Sequence, residues 1–150
     1  MLYATSRHKL SWDFTVYQDD VPVAEIDSAW LRERAVLTVG EDRYQASRVA
    51  GTFELARDGQ VLVRAEEAGL DPSSFTLVYE ETVYRLCAKA GDEQVYLLAK
   101  KGGSVIGTFQ LDGTLTRKVE AHLSSALPLV VRVFVLWLIT LAWKRASRAS

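Results

Sequence analysis

The side chains able to do chemistry are few and widely separated. Cys87 is the single cysteine, and His8 and His122 are the only histidines. A structural zinc site draws about four such ligands from close, patterned spacings. These three share no such spacing, so no metal site is expected. A catalytic thiol needs a cationic neighbour to hold it as thiolate, and neither histidine lies near Cys87 in the sequence. Asp19-Asp20, Glu66-Glu67 and Glu80-Glu81 are isolated acidic pairs, whereas calcium takes about six to eight oxygens from a dense set. Lys100-Lys101-Gly102-Gly103-Ser104 has a phosphate-loop flavour but lacks the spacing and following helix of a Walker motif. A hairpin tip is the better reading. The chain is therefore expected to be non-enzymatic and to carry no cofactor.

What chemistry remains is cationic. Trp143 stands beside Lys144, Arg145 and Arg148 near the C-terminus. Such a cluster matches a membrane-interface anchor, and equally a helix end whose basic side chains snorkel to water. The second reading is preferred. If any site meets anionic phospholipid it is this one, with Arg117 and Lys118 as additions. Eighteen basic residues against nineteen acidic ones leave a formal net charge of -1. A nucleic-acid partner is not expected on that balance, because counterion displacement needs a large basic excess.

The elements that must position these residues form one domain over residues 1–150. Hydrophobic residues make up 49% and charged residues 25%, a globular composition. One cysteine excludes an internal disulfide, residues 1–9 contain no apolar run, and there is no asparagine to glycosylate. A cytoplasmic location is expected, with membrane association left open. From residue 3 to residue 119 the text reads as short strands. Phe14 and Val16 follow Trp12 at period two; Val61, Val63 and Ala65 do the same, as do Phe75, Leu77 and Tyr79, and Val105, Gly107, Phe109 and Leu111. That period sets one face inward. Between the runs lie Asp19-Asp20, Gly40-Glu41-Asp42, Asp58-Gly59, Gly91-Asp92, Gly102-Gly103 and Asp112-Gly113. These types tolerate the backbone of tight hairpin turns, so the strands form an antiparallel meander of roughly ten to twelve. Residues 70–74 read as a longer loop, and residues 28–33 as a helical turn or a bulge. The hairpin at residues 36–44 echoes that at residues 76–84, as any pair of hairpins can.

After Glu120 the period changes. A helix is expected over about residues 124–146, capped by Ser124 or Ser125, with Pro128 in its first turn. The β-branched stretch 130–135 leaves open a start nearer Phe134. The positions that stack with Arg132 are nearly all apolar, and with Phe134, Leu136, Trp137, Leu138, Ile139 and Leu141 around it no polar face remains, so the helix must be enclosed by protein or by lipid. As a membrane anchor, Arg132 would cost about 2.5–3.5 kcal/mol while each large aliphatic residue returns roughly 0.3–0.6. Insertion is then marginal. The alternative threads the helix through the centre of the sheet, since a barrel of more than about eight strands is too wide for wall side chains to fill. Arg132 then needs a carboxylate or carbonyl partner, or a gap in the wall. The mainly β, closed antiparallel barrel with a central C-terminal helix is preferred. A C-terminally anchored protein whose β domain recruits a protein partner is the rival.

Trp12-Asp13-Phe14-Thr15-Val16-Tyr17, then Val23-Ala24-Glu25-Ile26, Ser104-Val105-Ile106-Gly107-Thr108-Phe109 and the closing Phe134 to Arg145 segment resemble the tubby C-terminal-like superfamily. That group includes tubby-like, LURP-one-related and phospholipid scramblase proteins. The resemblance covers nearly the whole chain through loose patterns, and it is to small bacterial members. It implies a barrel around a helix and a lipid-facing function. No basic pair here aligns with the phosphoinositide-binding residues of tubby proteins, and no acidic calcium loop is present, so no site residue is carried over.

Overall fold

The computed structural model describes residues 1–29, 32–69, 73–124 and 126–149. Among them the chain forms twelve strands and one helix. The strands are β1 (Leu2–Ser6), β2 (Phe14–Gln18), β3 (Val21–Ser28), β4 (Arg34–Val39), β5 (Asp42–Val49) and β6 (Thr52–Arg57), then β7 (Gln60–Glu67), β8 (Phe75–Tyr79), β9 (Thr82–Lys89), β10 (Asp92–Lys100), β11 (Val105–Asp112) and β12 (Lys118–Leu123). Helix α1 spans Leu129–Ala149. Each strand pairs antiparallel with its sequence neighbour, and β12 closes on β1. Full closure leaves no strand edge open to a second chain.

Up-and-down order sorts the connections between two ends. The tight tips Asp19-Asp20, Gly40-Glu41, Asp58-Gly59 and Glu80-Glu81 lie at one end, where α1 enters the barrel. Asp19, Asp20, Asp58, Glu80 and Glu81 all hold positive φ, the backbone that matches hairpin twist. The other end carries the β1–β2, β3–β4, β7–β8 and β11–β12 connections and the exit of α1. Ala50-Gly51 and Ala90-Gly91 turn there too.

Period two works as expected inside the wall: Phe14, Val16, Val63, Ala65, Phe75, Leu77, Phe109 and Leu111 are buried. The helix fills the space they leave. Residues 133–139 are buried throughout, and Trp137 is 2% exposed. The helix backbone comes closest to β3 and β4. Their inward residues include Ala24 and Ala35, with Ala46 next to them on β5. The far wall supplies bulk instead, with Tyr84, Leu86, Tyr96 and Leu98 on β9 and β10. The three alanines leave room for the helix on the near side, and the two tyrosines fill the wider space opposite.

Several boundaries differ from those read in the sequence. The strands run to Leu123 rather than residue 119, because β12 continues its pairing as far as Gly107 opposite Leu123. The helix accordingly begins at Leu129, neither at 124 nor at Phe134, and it continues to 149 rather than 146. Pro128 sits at the cap, its carbonyl accepting from the Val131 and Arg132 amides. The Ser124 hydroxyl accepts from the Ala126 amide in a local turn and does not cap the helix; Ser125 lies outside the described residues. Arg132 thus falls in the first turn at the barrel mouth, not mid-span, and its Nε donates to the Leu127 carbonyl at 3.0 Å. Partial burial alone pushes its pKa down.

Trp12 precedes β2 and lies in the β1–β2 connection rather than in a strand. Val105 points outward and is half exposed, because the β10–β11 register slips so that Ala99 pairs with Val105 and Leu98 with Gly107. That extra residue inverts the alternation. Asp112-Gly113 opens a longer connection to Lys118 rather than a tight tip. The loop at 70–74 and the turn at 28–33 fall partly outside the described residues.

Candidate functional site

Two clamps hold the exit of α1 to the barrel rim. On one side Arg145 donates through Nε to Glu33 Oε2 at 2.7 Å and through Nη1 to Glu67 Oε1 at 2.8 Å. Arg48 Nη1 reaches the other Glu33 oxygen at 2.8 Å, and its Nη2 lies 3.9 Å from Glu67. Both guanidinium groups sit over the Phe53 ring, at 5.6 Å for Arg48 and 5.5 Å for Arg145. Phe53 in turn meets Trp137 edge-on at 6.0 Å. The network therefore caps the aromatic layer around the helix. On the other side Trp143 meets Trp12 edge-on at 6.0 Å. Gly113 packs against the same indole, where an added Cβ would come within 3.2 Å of the ring. Arg117 lies over Trp12 at 3.9 Å and donates to the carbonyls of Lys9 and Ser11. Burial there pushes its pKa down.

Between the clamps the helix end presents cations. Arg32, Lys144, Arg145 and Arg148 line an open groove of about 300 Å³, with Glu33 and Leu141. Among the described residues Arg32, Lys144 and Arg148 have no carboxylate within ion-pairing distance. Burial pushes the Lys144 pKa down, Arg148 pushes it further, and Asp13 and Glu33 pull back. Below Lys144 a slot of about 10 Å³ follows Trp12, Arg34 and Thr140 to Trp137, room for about one water. Larger hollows on the outer wall, about 390 Å³ beside Arg64 and Glu66 and about 530 Å³ beside Asp27 and Arg34, mix charges of both signs.

The sequence-derived cluster is thus brought together only in part. Trp143, Lys144 and Arg148 share one end with Arg117, while Arg145 is held by Glu33 and Glu67 rather than displayed. Lys118 lies on the outer wall, 3.1 Å from Glu120 and over the Tyr3 ring. Trp143 is wedged under loops and does not project as an anchor. Sequence reading missed Arg32, Trp12 as the partner of Trp143, and the exposed Leu10 and Leu115. Their signal was topological: even and odd connections of a meander lie at opposite ends.

The ends differ in charge as a result. Connections and helix residues at the exit carry Arg7, Lys9, Arg32, Arg117, Lys144, Arg145 and Arg148 against Asp13 and Glu33 among the described residues. The opposite end carries Asp19, Asp20, Glu41, Asp58, Glu80 and Glu81 against Lys101, Arg132 and the amino terminus among the described residues. Among the described residues no cluster of three or more His, Cys, Asp or Glu could hold a metal, and no helix is long and apolar enough to cross a membrane. The helix read alternatively as an anchor lies inside the barrel. No protein-family model, curated protein or solved structure matches this chain.

Proposed function

We propose that this protein is a non-enzymatic barrel module that docks its helix-exit end on anionic phospholipid surfaces, at the cytoplasmic face of a membrane. The observation that carries the reading is the segregation of charge between the two ends, with Arg32, Lys144 and Arg148 outside ion-pairing distance of any carboxylate among the described residues at one and acidic hairpin tips at the other. A molecule polarised in this way orients in the field of a negative surface, basic end first. A helix enclosed by a closed barrel is also the plan that the resemblance to the tubby-like superfamily implies. A lipid-surface role rests on the charge pattern, with or without that kinship.

Co-sedimentation with phosphatidylserine-containing vesicles, against pure phosphatidylcholine vesicles, tests it. Each basic residue near such a surface is worth about 1 kcal/mol, so R32Q/K144Q/R148Q lowers partitioning by about a hundredfold. Binding declines steeply as salt rises. Equal affinity for both vesicle types, or a triple variant that binds like the parent, overturns the reading.

A further inference from the structure

Most exposed apolar side chains on this barrel are scattered over strand ends, but two are not. Leu10 is 81% exposed and Leu115 82% exposed, the most exposed of the large hydrophobic residues among those described. Both lie at the helix-exit end, on the β1–β2 and β11–β12 connections. A leucine held out in water forgoes the gain of burial, and single exposed leucines are commonplace. Two on adjacent loops of one end, in loops this well fixed, call for a reason.

The loops are joined and built. In the first, the Ser11 amide donates to the His8 carbonyl at 3.0 Å, which places Lys9 and Leu10 at the tip of a turn. In the second, the Asp112 carboxylate accepts the Thr114 amide at 2.9 Å, and that bond holds its pKa below the ordinary range. Arg117 then ties the loops together, its Nη1 donating to Lys9 at 2.9 Å and Ser11 at 3.0 Å, the carbonyls on either side of Leu10. Ser6 and Arg117 exchange two further bonds, the Ser6 amide to the Arg117 carbonyl and the Arg117 amide to the Ser6 hydroxyl. Beneath, Trp12 and Trp143 give the loops a rigid floor. Both leucines are thus presented from a fixed base beside Lys9 and the cationic helix end.

Resting on the proposed lipid-surface function, we infer that Leu10 and Leu115 are a paired wedge that enters the acyl layer of an anionic membrane while the surrounding cations engage the headgroups. A fixed wedge of this kind loses little conformational freedom on insertion. It also sets the tilt: the barrel leans toward the surface on the β1–β12 side, which the two loops flank.

The test uses the whole chain with Cys87→Ser and an environment-sensitive dye at L10C or L115C, mixed with phosphatidylserine-containing vesicles. Insertion predicts blue-shifted dye emission at both positions and quenching by lipids brominated in the acyl chain, with a control label at V78C, 42% exposed on the outer wall, unchanged. The L10S/L115S variant loses roughly tenfold in partitioning per leucine, and the loss persists at high salt. Salt-sensitive binding with both dyes remaining in water removes the wedge and leaves the electrostatic reading standing. Absence of any vesicle binding at low salt removes both. A thermal melt of L10S/L115S that matches the parent confirms that the loss is not one of folding.

Discussion

Trp137→Ala tests the central post of the architecture. Trp137 is 2% exposed, with Phe53 edge-on at 6.0 Å and Phe134 at 5.8 Å. An aromatic side chain of this kind buries about 150–250 Å², which at about 25 cal/mol per Å² is worth roughly 4–6 kcal/mol. Alanine keeps a fraction of that, and each lost aromatic pair removes about 0.5–1.5 kcal/mol more. The barrel is hydrogen-bonded all round, so its wall cannot collapse onto the vacated space. The cost should lie in the upper part of the about 3–5 kcal/mol range for such truncations. At about 2–4 °C per kcal/mol for a chain of this length, a loss of about 4–5 kcal/mol lowers Tm by roughly 8–20 °C. Trp143→Ala is the internal control. Its indole is half-buried and its contacts are at the rim, so about 1–2 kcal/mol is expected. Thermal melts followed by circular dichroism, with Trp137→Phe as a graded variant should alanine prevent folding, give the comparison. A Trp137→Ala melt no lower than that of Trp143→Ala refutes the enclosed helix.

Three further outcomes follow from the geometry. Glu33→Gln with Glu67→Gln dissolves the clamp on Arg145; its partners are part exposed, so stability falls by only about 1–2 kcal/mol, while vesicle binding rises about tenfold as two negative charges leave the basic end. A fall in both melts and binding counts against the proposed site. Glu80→Asn with Glu81→Gly relieves two left-handed backbones and should raise stability by about 0.5–1 kcal/mol in a urea titration; no gain means the turn is not strained. Lys144 has its pKa lowered by burial and by Arg148, so the folded chain releases that proton at lower pH than the unfolded one. Stability then rises with pH through that window, whereas vesicle affinity, which needs the ammonium, falls before the ordinary lysine range is reached. Lys144→Arg should flatten the fall, and a profile identical to the parent's assigns it elsewhere.

Much of this was legible because closure and period-two alternation are written into single residues. Phe14, Val16, Phe75, Leu77 and Phe109 announce their inward faces, and an apolar run longer than any strand announces a helix that needs enclosure. Legibility failed where a tertiary partner decides. Val105 obeys the alternation on paper, yet a register slip against β10 turns it outward. The β12 boundary could not be read because Ala121 and Leu123 suit a strand or a helix start equally, and only pairing with Gly107 and Phe109 settles it. The site was obscured in the same way. Arg145 and Arg148 look alike in the sequence, and what separates them is Glu67, distant in the chain, which binds one and not the other. Leu10 and Leu115 are unremarkable singly, and become a pair only through Arg117.

The basic exit has a structural explanation that must be weighed against the functional one. An even number of strands returns the chain to its starting end, so α1 must enter past the acidic tips and leave at the other mouth. Its first turn holds no acidic residue, and the one basic residue in its last turn is Arg148, worth about 0.3–1 kcal/mol against the negative dipole end. That accounts for Arg148 and not for Lys144 or Arg145, which lie a turn further in. It does not account for Lys9, Arg32 and Arg117 on the loops, because the dipole's influence fades beyond a turn. Nor does it account for two leucines held in water beside them, which stabilise nothing in the folded chain. The dipole asks for Arg148 alone; the helix flank and the loops carry charge and apolar tips beyond what the helix requires, and that surplus is what a lipid surface would read.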